Sequence, residues 1–240
     1  MFRFITFVAA AVVFSLLMVP VFFIVWVFTV PFDSRKRRAL HKVSYFWSYF
    51  IYKLHPKWKI NIIGKENIVP GQNYVVLSNH QAMFDIPLIM HTGLNIVWVS
   101  KREIYNIPFF GLILLMRDDV AIKRGTVSSA KMMIKKCSKK IKNGLSIAMF
   151  PEGTRTKTGE MGKFLSGAFL LASRAQCPIL PIAIDGTFDA LNSKTPRKKT
   201  FTISIAKPIM TEEIKTYTME QLRDKTEEII KNQINTICQK

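Results

Sequence analysis

A chain of 240 residues accommodates one ordinary domain with a short appendage. Hydrophobic residues make up 49%, with 18 Phe, 11 Met and 4 Trp, which excludes a disordered chain, because disorder needs low hydrophobicity as well as high charge. Lys and Arg number 35 against 16 Asp and Glu, a net +19, and a chain both apolar and basic is expected to meet nucleic acid or an anionic membrane.

From Phe4 to Phe32 run 29 residues without a charged side chain. As a helix this segment measures about 43 Å, against roughly 30 Å of bilayer hydrocarbon, so it is long enough to enter or cross a membrane. Pro20 is expected to kink it, which leaves a straight tilted span and a bent helix pair in one leaflet both open. Phe28-Thr29-Val30-Pro31 offers no small-x-small cleavage site, so the segment reads as a retained anchor rather than a signal peptide. Arg35-Lys36-Arg37-Arg38 follows it while only Arg3 and the terminal amine precede it, and this bias puts the rest of the chain on the cytoplasmic face of the inner or plasma membrane.

The stretch Tyr45-Phe46-Trp47-Ser48-Tyr49-Phe50-Ile51-Tyr52 is too short to span and rich in rings that favour the headgroup boundary. The alternative is that these rings pack on the domain core. Residues 1–56 are therefore expected to form membrane-anchoring and interfacial aromatic helices, and 57–240 a catalytic domain.

Charge follows the second part. Residues 34–210 hold 29 Lys and Arg against 9 Asp and Glu, net +20, whereas 211–240 hold 5 against 6. Cys137, Cys177 and Cys238 are odd in number and widely spaced, which fits neither a disulfide framework nor a zinc site and suits a reducing cytoplasm.

Short β-branched runs alternate with helical patterns. Trp58 to Ile63, Tyr74 to Leu77, Ile96 to Val99, Leu145 to Phe150, Ile179 to Ile184 and Phe201 to Ile205 read as strands. Val127, Ala130, Met133, Ile134, Cys137 and Ile141 recur at helical spacing, stopped by Asn143-Gly144, and Thr218 with Gln221 forms a capping-box pattern before a C-terminal helix. The alternation predicts an α/β fold, a mixed sheet flanked by helices with an N-terminal membrane-associated helical segment. The helix from about Gly125 to Lys142 carries Lys131, Lys135, Lys136, Lys139, Lys140 and Lys142. This stripe reads either as a solvated face or as a surface for anionic lipid or an acidic acyl carrier.

Two polar clusters stand at strand ends, where α/β proteins place their sites. In Ser78-Asn79-His80-Gln81-Ala82-Met83-Phe84-Asp85, His80 can act as a general base near neutral pH, and Asp85 can hold its other ring N–H. A spacing of five suits a loop-to-helix turn better than one helix face. In Phe150-Pro151-Glu152-Gly153-Thr154-Arg155, Gly153 permits close backbone approach, Thr154 offers a hydroxyl, and Arg155 a planar fork for phosphate.

Together the clusters resemble the glycerolipid acyltransferase family, typified by the bacterial 1-acylglycerol-3-phosphate acyltransferases, whose first block is N-H-x-x-x-x-D and third F-P-E-G-T-R. The second block resembles Val99-Ser100-Lys101-Arg102-Glu103 through Ile107-Pro108-Phe109-Phe110-Gly111 to Ile122-Lys123-Arg124, where Lys123 departs from the family's acidic residue. The fourth, a strand with a central proline, matches Pro178 to Ile184 with Pro181 at its middle.

The resemblance implies the glycerolipid acyltransferase fold, with His80 as catalytic base and Asp85 as its partner. It also implies that Asn79, Lys101, Arg124, Glu152, Gly153, Thr154 and Arg155 bind substrate, with Lys101 and Arg155 on the phosphate. The implied reaction moves an acyl group from acyl-CoA or acyl-carrier protein to lysophosphatidic acid at a phospholipid membrane, with no cofactor, metal or nucleic acid. Cys137 and Cys177 are expected to be small core residues. The alternatives are the same transfer onto glycerol 3-phosphate, another lysophospholipid or a lyso-aminolipid, and, as a non-enzyme, a membrane-tethered basic module binding nucleic acid.

Overall fold

The structure is a computed structural model that describes residues 2–33, 37–188, 190 and 198–238. Arg35 and Lys36 of the basic cluster lie outside the described residues. The helices are α1 (Phe2–Asp33), α2 (Arg38–Lys53), α3 (Asp85–Met90), α4 (Phe110–Met116), α5 (Val127–Lys142), α6 (Gly167–Ala175), α7 (Thr211–Ile214) and α8 (Met219–Cys238). The strands are β1 (Trp58–Ile63), β2 (Val75–Ser78), β3 (Ile96–Lys101), β4 (Val120–Ile122), β5 (Ser146–Met149), β6 (Ile179–Asp185) and β7 (Lys199–Ile205).

Among the described residues the seven strands form one sheet in the order β1-β7-β6-β2-β5-β3-β4. Neighbours run parallel except β6 and β7, which makes the sheet mixed, as the alternation of elements predicts. β2 and β5 are buried along their whole length, the pattern of parallel strands covered on both faces. Side chains alternate accordingly. Val75, Leu77, Ile147 and Met149 meet α5, α6 and α8 through Ile134, Cys137, Phe169, Leu222 and Ile230. Val76, Ala148, Leu180 and Ile182 face the other way, toward Tyr52 of α2 and Leu88 and Ile89 of α3. Cys137 and Cys177 are core residues, and burial pushes both thiols up to about 12.

Local chemistry sets several element ends. The Thr126 hydroxyl accepts the Ser129 N–H to start α5, and Gly144 at φ 80° follows its end. Thr218 and Gln221 make the reciprocal capping box: the Thr218 N–H donates to Gln221 Oε1 at 2.9 Å, and the Gln221 N–H to Thr218 Oγ1 at 3.2 Å. Pro181 lies inside β6, where its carbonyl accepts from the Ala206 N–H at 3.0 Å but it has no N–H to return. The β6–β7 ladder stops there and resumes at Ile179 and Ile209 one residue out of register, a bulge in the returning strand.

Pro20 does not interrupt α1, which runs helical from Phe2 to Asp33. It lies antiparallel along α2. Phe7 packs on His55 and Trp58, Phe14 on Phe50, Ser15 accepts from Trp47 Nε1 at 3.1 Å, and Met18 and Phe22 join Leu40 of α2 and Met116 of α4. The aromatic run of α2 divides between the two fates open to it. Tyr52 is buried and its hydroxyl donates to the Phe84 carbonyl at 2.8 Å, while Tyr45, Phe46, Tyr49 and Phe50 are exposed.

Candidate active site

β2 and β5 are neighbours, yet the chain leaves β2 for α3 on one face and β5 for α6 on the other. Their exit loops leave the carboxyl ends of adjacent strands, the edge where open α/β sheets bind their ligands. The loop after β2 carries His80 and the loop after β5 carries Glu152, Gly153, Thr154 and Arg155.

Asp85 opens α3 and is fully buried. Its Oδ2 accepts His80 Nδ1–H at 2.7 Å together with the backbone N–H groups of Gln81 at 2.6 Å and Ala82 at 2.8 Å. Its Oδ1 accepts the buried Thr187 hydroxyl, and the Thr187 N–H donates to Gln81 Oε1 at 3.3 Å. The five-residue spacing thus closes a loop-to-helix turn around one carboxylate. With Nδ1–H committed to Asp85, the lone pair of Nε2 is the basic site of the ring.

His80 is held from three further directions. Its N–H donates to Glu152 Oε1 at 2.6 Å, its carbonyl accepts from the Thr156 N–H at 2.9 Å, and its ring stacks on Phe150 with centroids 3.8 Å apart and planes 6° from parallel. Trp98 lies behind Phe150, centroids 5.5 Å apart. Glu152 Oε2 also accepts the Gly162 N–H at 2.8 Å, so one carboxylate joins the histidine loop to the far side of its own loop. Burial pushes the Glu152 carboxyl above its ordinary range, opposed by the Gly162 and His80 N–H groups. Gly153 has φ +72°, and a Cβ there would lie 2.9 Å from the Leu165 side chain.

The other sequence-predicted residues occupy the same sheet edge at different depths. Thr154 and Arg155 are exposed at the turn that follows Glu152. Lys101 ends β3, exposed and 3.7 Å from Glu103, and Arg124 stands exposed two residues beyond β4, whose Ile122 is in register with Lys101. Asn79 is different. Its buried amide donates to the Ile184 carbonyl at 2.9 Å and accepts the Ile184 N–H at 2.8 Å, so both polar ends hold the loop to β6. Pro181, expected as a structural strand-end proline, lies buried inside β6.

Thr187, Gln81 and the stacked ring of Phe150 have roles that sequence reading did not assign. The signal for Thr187 was its place just past the end of β6, on the edge where polar loop residues gather. Among the described residues no group of three or more His, Cys, Asp and Glu side chains is placed to hold a metal ion.

The profile of the Acyltransferase family matches residues 59–185. The chain is 35% identical over 161 residues, 67% of its length, to a chloroplastic 1-acyl-sn-glycerol-3-phosphate acyltransferase of Arabidopsis thaliana, of which it covers 45%. It is 34% identical over 158 residues, 64% of its length, to a 1-acyl-sn-glycerol-3-phosphate acyltransferase of Pseudomonas aeruginosa, of which it covers 60%. The chain spans about half the length of the first of these curated relatives. The crystal structure of the 1-acyl-sn-glycerophosphate (LPA) acyltransferase PlsC from Thermotoga maritima superposes with a TM-score of 0.82 at 22% identity, covering 100% of this chain and 98% of that one, which establishes the common fold.

Proposed function

The chain belongs to the acyltransferase family, and from that premise we propose that it transfers an acyl group from a thioester donor to the sn-2 hydroxyl of lysophosphatidic acid, giving phosphatidic acid at a bilayer surface. The observation that carries the reading is the His80–Asp85 pair at 2.7 Å, with the ring locked by Phe150 and Nε2 left for the substrate. Nε2 takes the proton of the acceptor hydroxyl as its oxygen attacks the thioester carbonyl. The C–S bond then breaks, and the imidazolium returns the proton to the leaving thiolate. Asp85 stabilises that imidazolium, a role suited to a carboxylate already fixed by two backbone N–H groups and a hydroxyl. Arg155, Lys101 and Arg124 supply positive charge along the edge for the acceptor phosphate. Glu152 and Gly153 shape the pocket by closing its loop onto His80. The relatives named for 1-acylglycerol-3-phosphate support this acceptor. Lys123, where the family's block is acidic, gives the second reading, transfer onto another lysophospholipid, glycerol 3-phosphate or a lyso-aminolipid.

The membrane is part of the proposal. α1 is long and apolar enough to cross a bilayer, yet Phe7 near one end and Phe22 toward the other both rest on the same folded body. A helix so held lies along the domain, which supports an anchor in the cytoplasmic leaflet over a span. The exposed lysines of α5 sit on the sheet face opposite α2, away from the lipid-facing rings, and this favours their meeting the anionic donor, acyl-CoA or acyl-carrier protein. The test offers the purified full-length protein both donors against a panel of lysolipids and glycerol 3-phosphate. Preferential acylation of lysophosphatidic acid supports the reading, and preference for another acceptor replaces it.

A further inference from the structure

Ile107 to Met116 is a run of ten residues without one charged or hydrogen-bonding side chain. Isolated apolar side chains on a surface are ordinary, but here five large ones lie together in nine residues: Ile107 52%, Phe109 58%, Phe110 38%, Leu112 44% and Leu115 61% exposed. Leu114 and Met116 take the opposite, inward face, and Ile113 packs with Met18 and Phe22 of α1. The exposed row is therefore left over after α4 has satisfied its contacts with the protein.

The segment is also rigidly presented. Phe109 has φ 63° and ψ −48°, a region costly for an L side chain, and that side chain is more than half exposed, so burial within the protein does not offset the strain. A Cβ at Gly111 would lie 2.0 Å from the Tyr105 carbonyl oxygen, so α4 is pressed against the preceding turn and the shape is fixed. Exposed Lys101 and Arg102 precede the run, and exposed Lys123 and Arg124 follow α4 and β4.

We propose that α4 and the turn before it enter the bilayer as a third lipid-contacting element, distinct from α1 and α2. The occupant of this face is lipid, on two grounds. α4 packs on α1, Ile113 with Met18 and Phe22, and α1 itself leaves Phe23, Ile24, Val27 and Phe28 exposed for lipid. The basic flanks of the row match anionic headgroups on either side of an inserted apolar tip. Because a short turn alone joins α4 to the β3 end that carries Lys101, insertion sets the catalytic edge at headgroup depth. A lysolipid then reaches the site without withdrawing its acyl chain from the membrane.

This inference rests on the membrane association proposed above, and the test separates the two. In the full-length protein with Cys238→Ser, single cysteines are introduced as Leu115→Cys in α4, Phe46→Cys in α2 and Lys135→Cys in α5, each labelled with an environment-sensitive fluorophore. The proteins are bound to phosphatidylglycerol–phosphatidylcholine vesicles containing chain-brominated lipid. The expected result is quenching at positions 115 and 46 and none at 135. Quenching at 46 but not at 115 overturns the α4 proposal and leaves the anchor standing; quenching at neither overturns both. Protection of position 115 that rises with protein concentration without vesicles assigns the face to a second copy and also overturns it. As a second measurement, Phe109→Asp with Leu112→Asp should weaken vesicle binding by about tenfold or more with unchanged thermal melting. Unchanged binding contradicts the proposal.

Discussion

Asp85 gathers four donors around one carboxylate, and the outermost, Thr187, is the one whose removal isolates positioning from chemistry. The Thr187 side chain bonds Asp85 and Gln81, not the ring. It fixes the carboxylate that fixes the ring. A hydrogen bond to a charged group contributes roughly 1.5–3 kcal/mol, so Thr187→Ala should lower kcat by about tenfold or more while leaving KM for the acceptor near its original value. Thr187→Ser, which keeps the hydroxyl, should restore most of the rate; steady-state kinetics on the three proteins decides it, and loss of activity in the serine variant would reduce Thr187 to packing. The histidine, its aspartate and the Glu152 loop were legible in the sequence because each belongs to a short polar cluster at a strand end. Thr187 was not, since it meets Asp85 across 102 positions and only the sheet order brings them together. The structural bonds of Asn79 were hidden for the same reason. Its partner is the backbone of Ile184, which no side-chain pattern announces.

Elements were legible in proportion to their length and periodicity. The predicted strand Trp58 to Ile63 matches β1, and five others match within a few residues, because buried alternation and turn residues mark them. β4 escaped notice. Three residues, Val120 to Ile122, give no period to read, and the strand exists because β3 supplies its pairing partner. The turn between α4 and β4 also holds what fastens α2 to the sheet. Arg117 is buried, with its Nε donating to Asp119 Oδ2 at 3.0 Å, one terminal nitrogen donating to Ile96 O at 2.8 Å and the other to the Ser44 hydroxyl of α2. Asp119 Oδ1 in turn accepts the Trp98 N–H at 2.9 Å. Removing one member of a buried pair leaves an uncompensated charge, so Arg117→Met should destabilise the fold by about 3–5 kcal/mol in denaturant titration. A loss under about 1 kcal/mol would mean that water reaches Asp119 and the junction is not closed.

At the scale of the molecule, α1 and α2 pack on the domain through Phe22, Leu40 and Tyr52, and the junction carries a pH dependence. His41 of α2 is buried, and burial followed by the nearby cations Arg117, Lys140 and Arg37 drives its pKa well below 6.5; burial also lowers His91. An imidazole kept neutral in the folded state contributes stability above its unfolded pKa. Below about 6.5 the unfolded chain takes up a proton that the folded chain resists, and that stability is lost as pH falls. Glu152 has the opposite sign, because its raised pKa favours the folded state on acidification. The difference between wild type and His41→Phe therefore isolates the histidine: melting of wild type should fall more steeply than that of the variant between about pH 7 and 5. Parallel slopes would remove His41 from the account.

The sheet brings His80, Asp85 and the Glu152 loop into contact, and α1, α2 and α4 each leave large apolar side chains exposed. His80 Nε2 is the proposed base for acyl transfer. The direct measurement is acyl transfer to lysophosphatidic acid in phospholipid vesicles by purified full-length protein and its His80→Ala variant, with circular dichroism to verify folding. The wild type should give product, and the variant should lose about 10²-fold or more while remaining folded. A folded variant that still transfers the acyl group at the wild-type rate would contradict that assignment.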